Sequence, residues 1–203
     1  MTALINADFS SGLLLGLSLI VAIGSQNAFI LKQGIKREHV FWVCLFCAVS
    51  DALLIVAGVA GFGTATAKFP QLVTMAKWLG ALFLLAYGLQ NLRESITNQS
   101  ALHASAHLTT SLKKALLLCF GFTWLNPHVY LDTLVLVGMV STGADDAKLF
   151  AIGAVTASFL FFFSLGFGAR LLAPIFAKPK AWNILDGLVG LLMLYLAWQL
   201  AFN

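Results

Sequence analysis

Charged residues are scarce in this sequence. Only 12 Lys and Arg and 8 Asp and Glu occur among its 203 residues, or 10%, whereas soluble domains carry about 25%. With 3 Cys the chain is not a disulfide-stapled secreted scaffold, and 60% apolar residues exclude an intrinsically disordered chain. This composition, with a mean hydropathy of +0.92, is that of a membrane protein.

Six stretches are apolar enough to cross a bilayer, which takes about 20 residues per helix. Each contains at most one charged residue, and the connections between them are short. We therefore predict an all-α membrane protein with six transmembrane helices that form a single transmembrane domain over residues 1–203. The stretches are 9–31, 40–62, 72–92, 115–139, 149–169 and 182–202.

Weak matches between the two halves of the chain indicate an internal repeat. Asn27 corresponds to Asn126 at an offset of 99 residues, and Tyr87 corresponds to Tyr195 at an offset of 108. Each half, about 9–92 and 115–202, holds three spans, so the second half enters the membrane with opposite orientation. Inverted repeats of this kind are typical of secondary transporters, which bind substrate at broken helices near the repeat interface.

The paired asparagines lie where helices are expected to break. Pro127 lacks the N–H of a helical residue and disfavours an α conformation at Asn126. The counterpart, Gly24 to Asn27 with Gln26, puts a flexible residue and three polar ones into an apolar stretch. Such backbone is tolerated in a membrane only against protein or a wet cavity. The alternative at Pro127 is a kink satisfied by neighbouring helices.

Two acidic residues lie inside predicted spans. Asp51 is the twelfth residue of its span and Asp132 the eighteenth of its own, and an ionised carboxylate there costs at least about 2.5 kcal/mol. They indicate a cation site, and His128, four residues before Asp132, is expected on the same helix face. The alternative is an internal ion pair or hydrogen bond between helices. Asp186, three residues after Asn183, is expected to be a structural residue at a helix N-terminus.

The residues around these positions resemble those of the LysE/ArgO family of lysine and arginine exporters. The resemblance rests on four segments: Gly24-Ser25-Gln26-Asn27-Ala28-Phe29, Lys32-Gln33-Gly34-Ile35-Lys36-Arg37, Ser50-Asp51, and the block Thr123-Trp124-Leu125-Asn126-Pro127-His128-Val129-Tyr130-Leu131-Asp132-Thr133. It spans essentially the whole chain. Ser25 departs from the family, which usually has proline there.

The resemblance implies a secondary exporter of basic L-amino acids in the bacterial inner membrane, not an enzyme and without a cofactor or metal. The expected partners are a basic amino acid and the lipid bilayer, with no nucleic acid, and a homo-oligomer is a further option. Substrate binding or transport is assigned to Asn27, Asp51, Asn126, Pro127 and Asp132, with Gln26, Ser50 and His128 beside them.

Two alternatives come from other functional classes. Cys44 and Cys47 form a C-x-x-C pattern on a predicted helix, so the chain could be an intramembrane thiol-disulfide electron carrier. The alternative without a redox function is that Cys44, Cys47 and Cys119 are small apolar residues of the helix core. The second alternative is a membrane subunit that only holds a partner, against which the short connections argue.

The orientation follows from the basic residues, which favour cytoplasmic loops. Nine Lys and Arg lie in loops 32–39, 93–114 and 170–181, and three lie on the other side. We therefore expect these three loops in the cytoplasm and both termini outside. In a chain without native cysteines, Ser111→Cys should react with an impermeant thiol reagent only in inverted vesicles, and Thr142→Cys only in spheroplasts. The reverse labelling would contradict the orientation, and labelling of both from one face would contradict the number of crossings.

Overall fold

The computed structural model describes residues 2–21, 24–62, 70–97 and 111–202, which fold almost entirely into helices. A π-helical turn, Gly58–Phe62, extends α3, and α6 is π-helical over Tyr130–Leu136. Two short 3₁₀ turns, Ala169–Leu172 and Ile175–Ala177, join α7 to α8. The helices are α1 (Thr2–Ile20), α2 (Ser25–Lys36), α3 (Val40–Ala57), α4 (Pro70–Thr97), α5 (Leu112–Trp124), α6 (Pro127–Ser141), α7 (Ala147–Gly168) and α8 (Pro179–Phe202).

Two of the six predicted spans are divided between helices. Residues 9–31 fall in α1 and α2, whose axes bend by 82° at the break, and residues 115–139 fall in α5 and α6. Three uninterrupted helical stretches are long and apolar enough to cross a membrane, and the bent pair of α1 and α2 would make a fourth. The described residues therefore form an all-helical protein with three to four membrane-capable helices. The uninterrupted stretches are Val40–Gly61, Ala147–Leu172 and Lys180–Phe202.

The helices pack so that apolar side chains face both inward and outward. The main core joins α2, α3, α4, α5, α7 and α8 around rings such as Phe29, Phe122 and Phe162. Many other large apolar side chains are exposed, including Leu82 at 63%, Leu160 at 55% and Leu188 at 62%. A surface this apolar is suited to lipid rather than to water.

The predicted loops are shorter in the structure than the sequence suggested. Residues 32–36 of the loop 32–39 belong to α2, and residues 93–97 of the loop 93–114 belong to α4. Residues 98–110 of that loop lie outside the described part of the chain. In the predicted loop 170–181, 3₁₀ turns and the start of α8 take most of the length. Helices α2 and α4 thus continue past the apolar stretches into charged residues, Lys32 and Lys36 in α2 and Arg93 and Glu94 in α4.

Helices α1 and α7 approach each other at glycine. A Cβ atom on Gly12 would lie 2.0 Å from the carbonyl oxygen of Phe150, and one on Gly153 would lie 2.1 Å from that of Phe9. Both distances are far below van der Waals contact, so neither position can carry a side chain without separating the helices. Small residues serve this purpose in membranes because helix association there relies on close backbone packing.

We expect Gly12→Val to destabilise the protein by about 1–3 kcal/mol, because the added methyl groups overpack the α1–α7 contact. Leu14→Val on the same helix is the control, since Leu14 is 67% exposed. Thermal unfolding in detergent measures both. Equal unfolding temperatures for the two variants would contradict this account of the contact.

Candidate functional site

A cavity of about 310 Å³ lies where the two helix breaks meet. This volume is at the lower end of the range of about 300–1,000 Å³ typical of small-ligand pockets. Apolar residues of α1, α4, α7 and α8 form part of its wall. The polar residues that line it are Ser25, Gln26, Asn27, Asp51, Asn126, His128, Asp132, Thr133 and Gln199.

The cavity brings together most of the residues singled out in the sequence. Pro127 and Ser50 do not line it. Pro127 is buried as the first residue of α6, and the buried Ser50 accepts a hydrogen bond from Nε1 of Trp124 at 3.2 Å, which joins α3 to the end of α5. The six that line it are Gln26, Asn27, Asp51, Asn126, His128 and Asp132.

The first break precedes the polar residues instead of containing them. Helix α2 begins at Ser25, with Gly24 extended before it, so Gln26 and Asn27 lie in the first helical turn. Asn27 reaches back and donates from Nδ2 to the carbonyl oxygen of Ile20, the last residue of α1, at 2.7 Å. The expectation of a break near Asn27 is confirmed, and its position is corrected by a few residues.

The second break falls where proline and asparagine predict it. Asn126 is extended, and its Oδ1 caps α6 by accepting from the backbone N–H of His128 at 3.1 Å. Pro127 takes the first helical position, where a missing N–H costs nothing. Tyr130 turns back and donates its hydroxyl to the carbonyl oxygen of Trp124 at 2.6 Å. Each break therefore has a side chain that satisfies a carbonyl released from the preceding helix.

The π-helical middle of α6 carries Asp132 and Thr133 to the cavity. The backbone N–H of Val137 bonds to the carbonyl oxygen of Asp132, five residues earlier, so this turn is wider than an α-helical one. Short π segments of this kind are frequent at functional sites. Thr133 was not singled out in the sequence, because a threonine in an apolar helix carries no signal of its own.

The electrostatic character of the cavity is acidic. Asp51 is 3% exposed, and its Oδ2 accepts from the hydroxyl of Ser158 at 3.3 Å. Asp132 is half-buried, and the cavity lining in the described part of the chain includes no Lys or Arg. Two carboxylates therefore face this space, and the imidazole of His128 lines it as well.

Several buried polar atoms at the cavity have no hydrogen-bond partner among the described residues. They are Oδ1 of Asp51, Oγ of Ser25 and Nε2 of Gln26. Buried polar groups are normally paired, since an unpaired one costs about 1–3 kcal/mol. Both acceptor and donor atoms without partners therefore border this one cavity.

The structure corrects the expected locations of Asp186 and Lys32. Asp186 is not at a helix N-terminus: α8 begins at Pro179, and Asp186 is 0% exposed two turns further on. Its carboxylate pairs with the ammonium of Lys32 at 2.7 Å. Lys32, counted above as a loop charge, is only 5% exposed on α2. Without it, eight basic residues remain in the three predicted loops against three.

The cysteines lie in the core as unpaired thiols. Cys44 and Cys47 are both 0% exposed and are not joined by a disulfide. The thiol of Cys44 donates to the carbonyl oxygen of Phe162 at 3.2 Å, as a core cysteine does. An electron carrier that exchanges a disulfide with partners is not supported by this arrangement.

Comparison with known proteins gives concordant results. The sequence profile of the family described as "LysE type translocator" matches residues 17–203. The "Arginine exporter protein ArgO" of Enterobacter sp. (strain 638) is 40% identical over 195 residues, which cover 95% of this chain and 92% of the relative. The "Arginine exporter protein ArgO" of Klebsiella pneumoniae (strain 342) is 38% identical with the same coverage.

A third relative carries a less specific description. The "Putative amino-acid transporter YggA" of Aeromonas salmonicida is 42% identical over 194 residues, with 94% of this chain and 93% of the relative covered. No solved structure shows significant similarity to the chain. The resemblance seen in the helix-break motifs is confirmed along nearly the full length, and the chain belongs to the LysE type translocator family.

Proposed function

We propose that this protein is a secondary exporter of basic L-amino acids, arginine or lysine, across the bacterial inner membrane, and that it binds them in the cavity between the broken helices. The observation that carries the proposal is the pair of carboxylates, Asp51 and Asp132, in a cavity lined by no Lys or Arg in the described residues. Two relatives named as arginine exporters and the translocator family support it.

The carboxylates are suited to the side chain of the substrate. A buried, partly unpaired carboxylate such as Asp51 attracts a guanidinium or ammonium group, which offsets the cost of holding the charge in the membrane. Asp132, half-buried across the cavity on α6, supplies the second acceptor. His128, exposed on the first turn of α6, lines the same cavity four residues before Asp132.

The start of α2 is suited to the α-carboxylate of the substrate. The first backbone N–H groups of a helix have no partner within the helix, and the helix dipole makes this end positive. The amide of Gln26 and the hydroxyl of Ser25 lie at the same place, and both residues line the cavity. Half-helix N-termini bind substrate carboxylates in other transporters with broken helices.

Six membrane crossings in two inverted repeats are the arrangement we propose for transport. In this arrangement the bent pair α1–α2 corresponds to α5–α6, α3 to α7, and α4 to α8. The proposal is supported by the two breaks, each of which is followed by an asparagine at or near the start of the next helix, and by the packing of α4 on α8. Rocking of one repeat against the other would expose the cavity to each side in turn.

Asp51→Asn and Asp132→Asn should each lower arginine efflux from cells by about tenfold or more, because truncating one partner of a buried charge pair costs about 2–5 kcal/mol. Asp145→Asn is the matched control, since Asp145 is exposed in the turn before α7. Radiolabelled efflux measures the rates, with membrane expression checked in parallel. Efflux of arginine and lysine at the wild-type rate in both cavity variants would refute the proposed site.

Gln26→Glu should raise the KM for arginine by about tenfold, because a carboxylate at the start of α2 repels that of the substrate. The effect should be much smaller for agmatine, which has the guanidinium group but lacks the α-carboxylate. Counterflow in liposomes measures both substrates on the same protein. An equal loss for arginine and agmatine would show that Gln26 does not face the carboxylate.

A further inference from the structure

A buried ion cluster lies on three helices away from the cavity lining. The ammonium of Lys32 on α2 donates to Oδ1 of Asn91 at 2.9 Å and to Oε2 of Glu94 at 3.1 Å, both on α4. It also contacts Oδ1 of Asp186 on α8 at 2.7 Å. One ammonium thus has three oxygens around it, two of them from carboxylates: Asn91 and Glu94 accept hydrogen bonds, and Oδ1 of Asp186 is held as an ion pair.

The direct contacts of Lys32 involve more carboxylates than ammonium groups, and the ammonium of Lys36 lies near enough to interact with Glu94 and Asp186 as well. Oδ2 of Asp186 is buried without a hydrogen-bond partner among the described residues. Lys36, one turn beyond Lys32, lies over the ring of Trp182 at 5.5 Å. Asp186 is 0% and Asn91 1% exposed, whereas the side chain of Glu94 is 20% exposed. The cluster therefore has an unused acceptor inside and one carboxylate that solvent can reach.

The cluster and the cavity share the same helices. Gln26 on α2, Leu84 on α4 and Leu196 on α8 line the cavity, and Lys32 lies six residues from Gln26, or about 9 Å along the helix. The ion cluster is therefore the next polar site along these helices, toward the end where α2 and α4 finish and α8 begins.

Three aromatic rings from α2, α4 and α5 are packed together between these two polar sites. The ring of Phe29 lies 6.4 Å from that of Tyr87 and 5.4 Å from that of Phe122, and the last two are 4.9 Å apart. All three residues are buried. A substrate that moves between the cluster and the cavity must displace these rings.

We propose that Asp186, Glu94 and Asn91 form a second cation site, which receives the guanidinium or ammonium group of the substrate on its way to the cavity and which Lys32 occupies when no substrate is bound. The proposal rests on the proposed function for the identity of the cation. A lysine side chain on the protein and one on the substrate present the same ammonium group to the same oxygens. Exchange keeps the carboxylates paired throughout, which avoids the cost of a buried unpaired carboxylate. Its cost falls on Lys32, whose ammonium gives up its contacts with Asn91, Glu94 and Asp186.

The exchange links binding to movement of α2. Lys32 holds α2 against α4 and α8, and the same helix carries Gln26 and Asn27 in the cavity. When a substrate cation takes the place of Lys32, this contact between α2 and α8 is released. In the proposed repeats α2 belongs to the first half and α8 to the second, so the released contact is one that alternating access has to break.

The second site is tested by the binding of radiolabelled arginine to the full chain in nanodiscs. The background for all variants is the Asp51→Asn, Asp132→Asn chain, in which the cavity carboxylates are neutralised. Adding Lys32→Gln should raise the affinity for arginine by about tenfold or more, because the tethered competitor is gone. Adding Asp186→Asn as well should remove the gain. Lys32→Arg, which keeps a tethered cation, should show none. A folded Lys32→Gln chain without the gain, or a gain that survives Asp186→Asn, would overturn the proposal.

Two further measurements keep the test decisive if Lys32→Gln does not fold. Lys32→Gln with Glu94→Gln keeps the net charge of the cluster unchanged and should still bind arginine at Asp186. In the unaltered chain, saturating arginine should increase acylation of Lys32, measured by mass spectrometry, by about tenfold, because the displaced ammonium loses its partners. Unchanged acylation would argue against exchange. If these binding and acylation tests fail while arginine efflux still depends on Asp51, only the second cation site is refuted. If efflux does not depend on Asp51, the proposed function is refuted instead.

Discussion

In the hydrocarbon layer, an unpaired backbone carbonyl or amide costs several kcal/mol, because no water is present to replace the missing partner. The arrangement of the cavity follows from this constraint. The chain breaks at the end of α1 and at the end of α5, and each break releases groups that an intact helix would have paired. The side chain of Asn27 donates a hydrogen bond to the carbonyl oxygen of Ile20, and the hydroxyl of Tyr130 donates one to that of Trp124. The breaks can therefore persist inside the membrane.

Buried charges also require partners, and the two acidic sites differ in where the partner comes from. At the cavity, one oxygen of Asp51 accepts a hydrogen bond from Ser158 and the other has no partner among the described residues, which is why we propose that a substrate cation binds there. At the ion cluster, Lys32 supplies the cation from within the chain. In our proposal the substrate supplies the cation at the first site, and a side chain of matching chemistry supplies it at the second. Both lie on α2 or against its neighbours, which makes α2 the element that links them.

The sequence predicted the helix breaks and the cavity carboxylates because these residues are locally anomalous. A proline after an asparagine, or an aspartate in an uncharged stretch, stands out against apolar neighbours. Lys32 and Asp186 were misassigned for the opposite reason, since each lies near the end of an apolar stretch, where charge is ordinary. Their partner, Glu94, is 62 residues from Lys32 along the chain, and no local pattern could show that the three meet.

The sequence by itself determined that the chain is a helical membrane protein, where its helices break, and which family it belongs to. These properties depend on hydropathy, on the stereochemistry of proline and on short motifs, all of which are local. Only the tertiary structure decided that Gln26, Asp51 and Asp132 face one cavity and that Lys32 joins α2 to α4 and α8. Such contacts depend on how helices are oriented about their axes and how closely they approach, and those are set by packing across the whole bundle.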